Sequence, residues 1–148
     1  MTSQINLIQM PKVDHSQAFL HYKSALQSVI ESAFGWNEDF QIERFKTKYE
    51  PHWFYWVEID LQRVGYVCFY ETNSKVHVSL LIIFEEFRKK SYGQIVMQTL
   101  QQRALNKSLK VTLSTFKSNT GAINFYKNMG YEITNEDDFF YDMSLTLK

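Results

Sequence analysis

The sequence predicts an α+β domain with a mixed central sheet of six to seven strands and about four flanking helices. Apolar residues recur at steps of three and four between residues 16 and 34, as on one face of a helix. Runs rich in β-branched and aromatic residues follow one another between residues 54 and 84, as in β-hairpins. The segment from residue 75 to residue 116 then reads as strand, helix and strand, which is typical of a parallel, right-handed β-α-β unit.

The first part of the chain is predicted to hold one strand and two helices. Ile5–Met10 is a short apolar run and therefore a first strand, and Ser16–Phe34 is a helix that Gly35 ends. Asn37 is an N-cap for the second helix, which Pro51 closes. The apolar faces of these helices consist of Phe19, Tyr22, Ala25, Leu26, Val29, Ile30 and Ala33 in the first, and Phe40, Ile42, Phe45 and Tyr49 in the second.

Three strands are expected next. Phe54–Leu61 and Val64–Tyr70 are β-rich runs separated by Gln62-Arg63, so a hairpin with its turn at those two residues is predicted. A second turn at residues 72–74 leads into the third strand of this group, Lys75–Phe84.

The remaining elements alternate between helix and strand. A helix is predicted from about Gly93 to Asn106, and a strand over Lys110–Phe116. A short helix follows over Thr120–Met129, Gly130 ends it, and the chain then returns to extended structure at Tyr131. Phe139–Leu147 alternates well enough to be the terminal strand.

Composition limits the class of protein. The 148 residues are expected to form a single domain, residues 1–148, and 45% hydrophobic with 22% charged residues is typical of a globular protein. Sixteen basic residues balance sixteen acidic ones, so neither a nucleic-acid nor a membrane partner is expected. The N-terminal residues lack a basic region followed by a long apolar segment, so no signal peptide is expected and a cytoplasmic location is predicted. Cys68 is the only cysteine, which excludes an internal disulfide, and its apolar surroundings favour a core position.

Basic and small residues follow the Lys75–Phe84 strand, where the next helix begins. They are Arg88, Lys89, Lys90, Ser91, Tyr92, Gly93 and Gln94. A helix N-terminus exposes unpaired N–H groups and carries partial positive charge, so a local phosphate site can form there. Small residues at Ser91 and Gly93 would let a pyrophosphate approach the backbone. A solvated basic turn before an amphipathic helix is the alternative interpretation.

The short helix after residue 119 carries a second pattern. Asn119 is an N-cap, and Asn119, Ala122 and Tyr126 have the spacing i, i+3, i+7, which places them along one helical face. Phe125 turns toward another side and is expected in the core. For this segment taken alone, an ordinary capped helix with a half-buried tyrosine is the favoured interpretation.

Together the two segments resemble the GCN5-related N-acetyltransferases, the GNAT family. Residues 87–93 resemble its acetyl-CoA signature, Arg/Gln-x-x-Gly-x-Gly/Ala, with Ser91 in place of the first glycine. The later segment resembles Asn-x-x-Ala-x-x-Phe-Tyr-x-x-x-Gly-Phe/Tyr. Its matching residues are Asn119, Ala122, Phe125, Tyr126, Gly130 and Tyr131. The resemblance covers roughly Val64 to the C-terminus, and the first 60 residues agree in element order alone.

The resemblance implies a GNAT-like fold and an N-acetyltransferase that uses acetyl-CoA as co-substrate. It implies that the backbone of Leu81, Ile82 and Ile83 binds the pantetheine arm as an added strand, and that the amides of Lys89 to Gln94 hold the pyrophosphate. Asn119 would bind the cofactor arm, and an N–H near Ile83 would hold the oxyanion. Tyr126 would lie close to the sulfur and donate a proton to it as general acid.

The general base and the acceptor are less defined. His77 is the predicted base, because a strand pattern would put it on one face with Ser79, Leu81 and Ile83, and its ordinary pKa leaves it mostly neutral at pH 7. A partly exposed strand histidine is the alternative, and a water relay or Glu58, Glu71, Glu85 or Glu86 could serve instead. Trp36, Glu38 and Asp39 could hold an amine, although a packed tryptophan and an acidic helix start are favoured.

Several functional alternatives therefore stay open. The acceptor is expected to be a small-molecule amine or a peptide amine, and a peptide N-terminus, a lysine, a polyamine and an antibiotic all fit. No metal ligands are assigned. A homodimer is compatible with the family, although no apolar stripe requires one. A non-catalytic acyl-CoA-binding or sensor domain with the same fold is the alternative to an enzyme.

Overall fold

The computed structural model describes residues 4–145, which contain seven strands and four α-helices. The strands are β1 (Ile5–Gln9), β2 (Phe54–Ile59), β3 (Gln62–Glu71), β4 (Lys75–Ile83), β5 (Lys110–Phe116), β6 (Glu132–Glu136) and β7 (Phe140–Leu145). The helices are α1 (His15–Phe34), α2 (Glu38–Lys48), α3 (Tyr92–Asn106) and α4 (Thr120–Asn128). The predicted α+β class, element order and mixed sheet are confirmed; residues 146 and 147 of the predicted last strand lie outside the described residues.

The strands form one sheet in the order β1-β2-β3-β4-β5-β7-β6. β4 and β5 are parallel and joined by α3, as the strand-helix-strand succession predicts. The other neighbouring pairs are antiparallel, so the sheet is mixed. β5 pairs with β7 rather than with β6. The last strand therefore lies inside the sheet, between β5 and β6, and β6 forms the edge.

Helices cover both faces of the sheet, and each face has its own apolar core. On one face α1 and α2 pack on the sheet, where the Tyr66 hydroxyl donates a hydrogen bond of 2.9 Å to the carbonyl of Ala18 in α1. On the other face α3 and α4 pack, and Met97, Leu100 and Tyr126 belong to that core. Cys68 is fully buried beneath the α1 and α2 helices, which confirms its predicted core position.

The first hairpin turns two residues earlier than predicted. Ile59 pairs with Gln62, so the two-residue loop is Asp60-Leu61, and the prediction of Gln62-Arg63 was wrong. Both loop residues have positive φ, 52° and 68°, as a tight turn that continues the twist of its strands requires. The sequence carries no glycine at either position, and the turn was missed for that reason.

Strand β4 contains a β-bulge at Ser79. Cys68 of β3 pairs with Leu80 and the next residue, Phe69, pairs with Val78, so Ser79 is the extra residue. The bulge reverses the side-chain alternation along β4. Before it, Val76 and Val78 face the α3 and α4 core, and after it, Leu80 and Ile82 face the α1 and α2 core.

Strands β4 and β5 separate beyond the bulge. Their parallel pairing runs only from Lys75 and Lys110 to Val78 and Leu113. β4 then continues to Ile83 beside β3, and β5 continues to Phe116 beside β7. The sheet is therefore split at its centre, and a cleft opens between the carboxyl-terminal halves of these strands.

Two kinds of feature are absent from the described residues, a membrane-spanning helix and a cluster of metal ligands. Among residues 4–145 no helix is long and apolar enough to cross a membrane. In the same part of the chain no group of three or more histidine, cysteine or acidic side chains could hold a metal ion.

Candidate active site

A cavity of about 130 Å³ occupies the split between β4 and β5. Its walls come from both faces of the sheet. One wall carries Asn119, the N-cap of α4, with Ala122 and Tyr126 of that helix, and the opposite wall carries Lys48, Tyr49 and Phe140. Strand β4 forms the floor from His77 to Ile82. A molecule bound here would thus contact residues of both helical layers.

Tyr126 lies in the wall formed by α4. Its side chain is only 8% exposed, and its ring packs against Tyr131 with 5.6 Å between the ring centroids. The hydroxyl makes no hydrogen bond with another described residue, and the side chain lines the cavity. Burial raises the pKa of Tyr126 well above its ordinary value. The neighbouring Tyr131 adds a smaller effect in the same direction. The phenol therefore stays protonated at neutral pH and is available as a proton donor.

Asn119 caps α4 and also lines the cavity. Its Oδ1 atom accepts a hydrogen bond of 3.2 Å from the backbone N–H of Ala122, as the predicted N-cap requires. The side-chain amide N–H groups make no hydrogen bond to another described residue. Capping thus occupies the carbonyl end of Asn119, and the amide end remains available to a ligand.

His77 lines the cavity, but it lies on the other face of the sheet from Leu81 and Ile83. The prediction that these residues share one face was wrong, because the bulge at Ser79 inserts one residue between them. His77 faces the α1 and α2 layer, beside its partner Tyr70 on β3. Leu81 faces the α3 and α4 layer and packs in that core.

The imidazole of His77 is held by one hydrogen bond. Its Nδ1 atom lies 2.8 Å from the Oγ1 atom of Thr112 on β5. Burial, assisted by the charge of Lys75, lowers the pKa of His77 to about 4. The ring is therefore neutral at pH 7, and its Nε2 atom has no partner among residues 4–145. Neutral imidazole can accept a proton at Nε2, although a pKa of about 4 makes His77 a weak base.

The edge of β4 beyond the bulge offers backbone groups to the cleft. The N–H of Phe84 donates to the carbonyl of Val64 at 2.9 Å, and hydrogen bonding alternates along antiparallel strands. The N–H and C=O groups of Leu81 and Ile83 consequently point away from β3, toward the split. The Nε atom of Arg88 donates to the Ile83 carbonyl at 3.1 Å, so that acceptor is already engaged.

The loop between β4 and α3 has an unusual backbone. Lys89 and Ser91 both have φ of 64°, which is the left-handed region, and Ser91 is the N-cap residue of α3. Ser91 thus occupies a conformation that favours glycine. A Cβ atom at Gly93 would lie 3.4 Å from the Phe125 ring, so α3 begins in close contact with α4. Phe125 is half-buried in this contact, rather than deep in the core.

The predicted site residues do not all meet in the cavity. His77, Leu81, Ile82, Asn119, Ala122 and Tyr126 line it. Ile83 and residues 88–94 lie outside it, along the end of β4 and the first turn of α3. Arg88, Lys89, Lys90, Ser91 and Gln94 are exposed, and Tyr92 and Gly93 are half-buried. The loop therefore lies at the surface, where a large ligand could extend beyond the cavity.

The candidate amine-binding residues at the α1–α2 junction have structural roles. The Trp36 Nε1 atom donates to Glu38 at 2.8 Å, and Lys23 forms an ion pair with the same carboxylate at 2.9 Å. These hydrogen bonds from Lys23 and Trp36 lower the pKa of Glu38. Trp36, Glu38 and Asp39 do not line the cavity between β4 and β5, which agrees with the favoured interpretation.

Sequence reasoning missed one wall of the cavity. Lys48 is the last residue of α2, Tyr49 is its C-cap, and Phe140 begins β7. No motif or spacing marks these residues, because segments distant in the chain meet only through the sheet. Tyr49 was predicted to lie on the apolar face of the second helix, and nothing in the sequence indicated that it would line a ligand cavity.

Comparisons with known proteins are consistent with this architecture. The model of the acetyltransferase (GNAT) family matches residues 18–131. A comparison with curated proteins found no match to this sequence. Among solved structures, an acetyltransferase from Streptococcus agalactiae has a TM-score of 0.71 at 13% identity, over 98% of both chains.

Two further solved structures carry ligands. PaiA N-acetyltransferase from Thermoplasma acidophilum, in complex with coenzyme A, has a TM-score of 0.69 at 14% identity, over 99% of this chain and 100% of that one. Arabidopsis thaliana Naa50, in complex with the bisubstrate analogue CoA-Ac-MVNAL, has a TM-score of 0.59 at 16% identity. That alignment covers 97% of this chain and 99% of Naa50.

Proposed function

Because the family model spans most of the chain, this protein belongs to the GNAT acetyltransferase family, and we propose that it transfers an acetyl group from acetyl-CoA to a primary amine. The amine would attack the thioester directly. The solved relatives that contain coenzyme A or a CoA-peptide analogue support an acyl-CoA co-substrate. A location in the cytoplasm and a single domain over residues 1–148 are part of the same proposal.

One observation carries the proposal: the split between β4 and β5 brings a protonated phenol and a neutral imidazole to the same cavity from opposite faces of the sheet. Tyr126 and His77 both line it. Aminolysis of a thioester needs a base for the ammonium proton and an acid for the departing sulfur. The two side chains have the protonation states those roles demand at pH 7.

The residues present also fit the co-substrate. Acetyl-CoA supplies its acyl group as a thioester at the end of a long amide-containing arm. The outward N–H groups of Leu81 and Ile83 suit such an arm, as an added strand would pair with them. The Asn119 amide N–H groups, which have no partner among the described residues, add donors on the other wall. The α3 N-terminus, with Lys89 to Gln94 around it, suits the pyrophosphate.

The proposed acid role of Tyr126 is tested with Tyr126→Phe. This variant keeps the ring packing and removes the hydroxyl, so we expect turnover to fall by about 10²-fold or more while acetyl-CoA affinity stays nearly unchanged. Thiol release with a panel of amines measures turnover, and calorimetry measures binding. Tyr131→Phe is the matched control, because Tyr131 is buried beside Tyr126 but lies outside the cavity.

Full activity of Tyr126→Phe at every pH would exclude the acid role. A non-catalytic acyl-CoA sensor is the alternative function, and the Ser91 substitution within the phosphate motif is the observation in its favour. A sensor would bind acetyl-CoA in the calorimeter and release no thiol with any amine. The same pair of measurements therefore separates the two functions.

A further inference from the structure

The wall of the cavity opposite Tyr126 carries a charge that the acyl transfer does not use. Lys48 is the last residue of α2, and its side chain lines the cavity. Its Nζ atom lies 4.8 Å from the centroid of the Phe140 ring and 5.6 Å from that of Tyr49. Cation–π contacts with two rings hold the ammonium at this wall.

No acid of the cavity neutralises this ammonium. Among the described residues that line the cavity, Lys48 is the only formally charged side chain, since His77 is neutral, and no aspartate or glutamate is present. Arg44 lies one turn earlier on α2, with its guanidinium carbon 5.8 Å from the Phe140 ring. Within residues 4–145 neither cation has an acidic partner within 4.0 Å.

The surroundings of Lys48 strengthen its effect on a ligand. Part of the Lys48 side chain is exposed, but its ammonium is partly buried. This burial, assisted by the positive charge of Arg44, lowers the pKa of Lys48 to about 8. The negative charge of Asp137 acts in the opposite direction. The group is still mainly protonated at pH 7. A partly desolvated cation repels a second ammonium and attracts an anion more strongly than a fully hydrated one does.

The phosphates of the co-substrate are poor candidates for this cation. Their proposed site is the N-terminus of α3, which packs on the opposite face of the sheet from α2. Lys48 lies on the α2 side, and its charge acts on the His77 imidazole, as do the larger effects of Lys75 and of Asp142, the latter in the opposite direction. The cation therefore faces the place where the acceptor amine must lie if His77 receives its proton.

We propose that the acceptor is a small amine that also carries a carboxylate, such as an amino acid, and that Lys48 binds this carboxylate. The inference rests on the proposed function and names its substrate class. Pairing with Lys48 would orient the amine toward His77 and the thioester. The cation would also favour loss of the ammonium proton from the acceptor, because it repels the protonated form. Polyamines and other polycations would be excluded.

The test compares free amino acids with their carboxamides in the thiol-release assay. Converting the carboxylate to a carboxamide also lowers the pKa of the neighbouring amine, so kcat/KM is calculated per unprotonated amine. On that basis we expect the acid of an accepted pair to have kcat/KM at least about tenfold higher, as for the loss of one charge-assisted hydrogen bond. Lys48→Met should lower kcat/KM for the acid by about tenfold more than that for the amide. Lys46→Met is the control, because Lys46 is an exposed cation on the same helix outside the cavity.

Each other outcome overturns the inference in a recognisable way. If polyamines or short peptides release thiol and amino acids do not, the acyltransferase function stands and the carboxylate inference is wrong. Equal losses for acid and amide in Lys48→Met would assign the lysine a structural role instead. If no amine of any class releases thiol, the proposed function and this inference fail together.

Discussion

At the scale of single residues, Asn119 can serve structure and ligand binding with different atoms. Its side-chain carbonyl caps α4 through the N–H of Ala122, while the amide N–H groups have no partner in the described part of the chain. A substitution can therefore remove one function and keep the other. Asparagine and aspartate are equally good N-caps, because both present an oxygen to the first turn.

Asn119→Asp should leave the free energy of unfolding unchanged and weaken acetyl-CoA binding by about 3- to 10-fold, the value of one lost hydrogen bond. The carboxylate keeps the cap but cannot donate to the pantetheine arm. Asn119→Ala should lose about 1 kcal/mol of stability as well, because the cap is gone. Urea unfolding and calorimetry measure the two effects. Wild-type affinity in Asn119→Asp would show that the amide does not contact the ligand.

Ser91 carries backbone strain at the predicted phosphate site. Its φ of 64° lies in the left-handed region, and Ser108 after α3 has a comparable φ of 58°. A side chain in this region costs of the order of 1 kcal/mol, which glycine avoids. Ser91 is thus tolerated at the position where the family motif has glycine, but it lowers the free energy of unfolding.

Ser91→Gly and Ser108→Gly should each raise the free energy of unfolding by about 0.5–1 kcal/mol, since both relieve the same strain. Only Ser91→Gly should also tighten acetyl-CoA binding, by a few-fold, because it removes a side chain beside the proposed phosphate site. Equal acetyl-CoA dissociation constants for the two variants would place the pyrophosphate away from residue 91.

At the scale of elements, the site depends on how β4 is held. β3 pairs with β4 along its whole length, and β5 pairs with it only as far as Val78. The outer half of β4 is therefore fixed from one side alone, and this leaves its other edge available for a ligand. Gly65 allows the required close approach, since a Cβ atom there would lie 2.1 Å from the carbonyl oxygen of Ile82.

Gly65→Ala should destabilise the protein by roughly 2–4 kcal/mol, because backbone must move to admit the methyl group. The pairing of β3 with the outer half of β4 would be disturbed first, so acetyl-CoA affinity should fall too. Gly121→Ala is the matched control: a Cβ atom at Gly121 meets nothing within 4 Å, and alanine favours the α4 helix. Urea unfolding of both variants distinguishes a local clash from a general effect of alanine.

At the scale of the whole molecule, three half-buried imidazoles on the α1 and α2 side of the sheet are favoured in their neutral form. Burial lowers the pKa of His15, His21 and His77, the last to about 4. In the unfolded chain these side chains titrate near 6.5, so below that pH the unfolded state binds more protons than the folded state. Stability contributed by neutral burial is complete above pH 6.5 and is lost as the pH falls toward 4.

The free energy of unfolding should therefore fall between pH 7.5 and pH 5, with about 2 kcal/mol of the loss due to His77. The His77 contribution to this fall should vanish in His77→Gln. The free energy of unfolding of the variant should therefore fall less between pH 7.5 and pH 5 than that of the wild type. His52→Gln, which alters an exposed histidine, is the control. Identical slopes of stability against pH in His77→Gln and wild type would show that His77 titrates normally in the folded state.

Local sequence determined the secondary-structure elements of this protein and indicated the family to which it belongs. Helix bounds followed from periodicity and from caps such as Asn37 and Asn119, both of which accept the expected backbone hydrogen bonds. Gly130 has the predicted left-handed backbone, with φ of 101°. Two short motifs in the correct order indicated the family, because their residues act within a few positions of one another along the chain.

Tertiary structure alone decided which residues meet in the cavity. The extra residue at Ser79 exists only relative to the pairing of β3 with β4, so no alternation rule applied to β4 by itself could place His77 and Leu81 on opposite faces. Lys48 and Phe140 meet because α2 and β7 pack beside the same split in the sheet. Local patterns report the conformation of neighbouring residues, whereas register shifts and distant contacts depend on the partner strand.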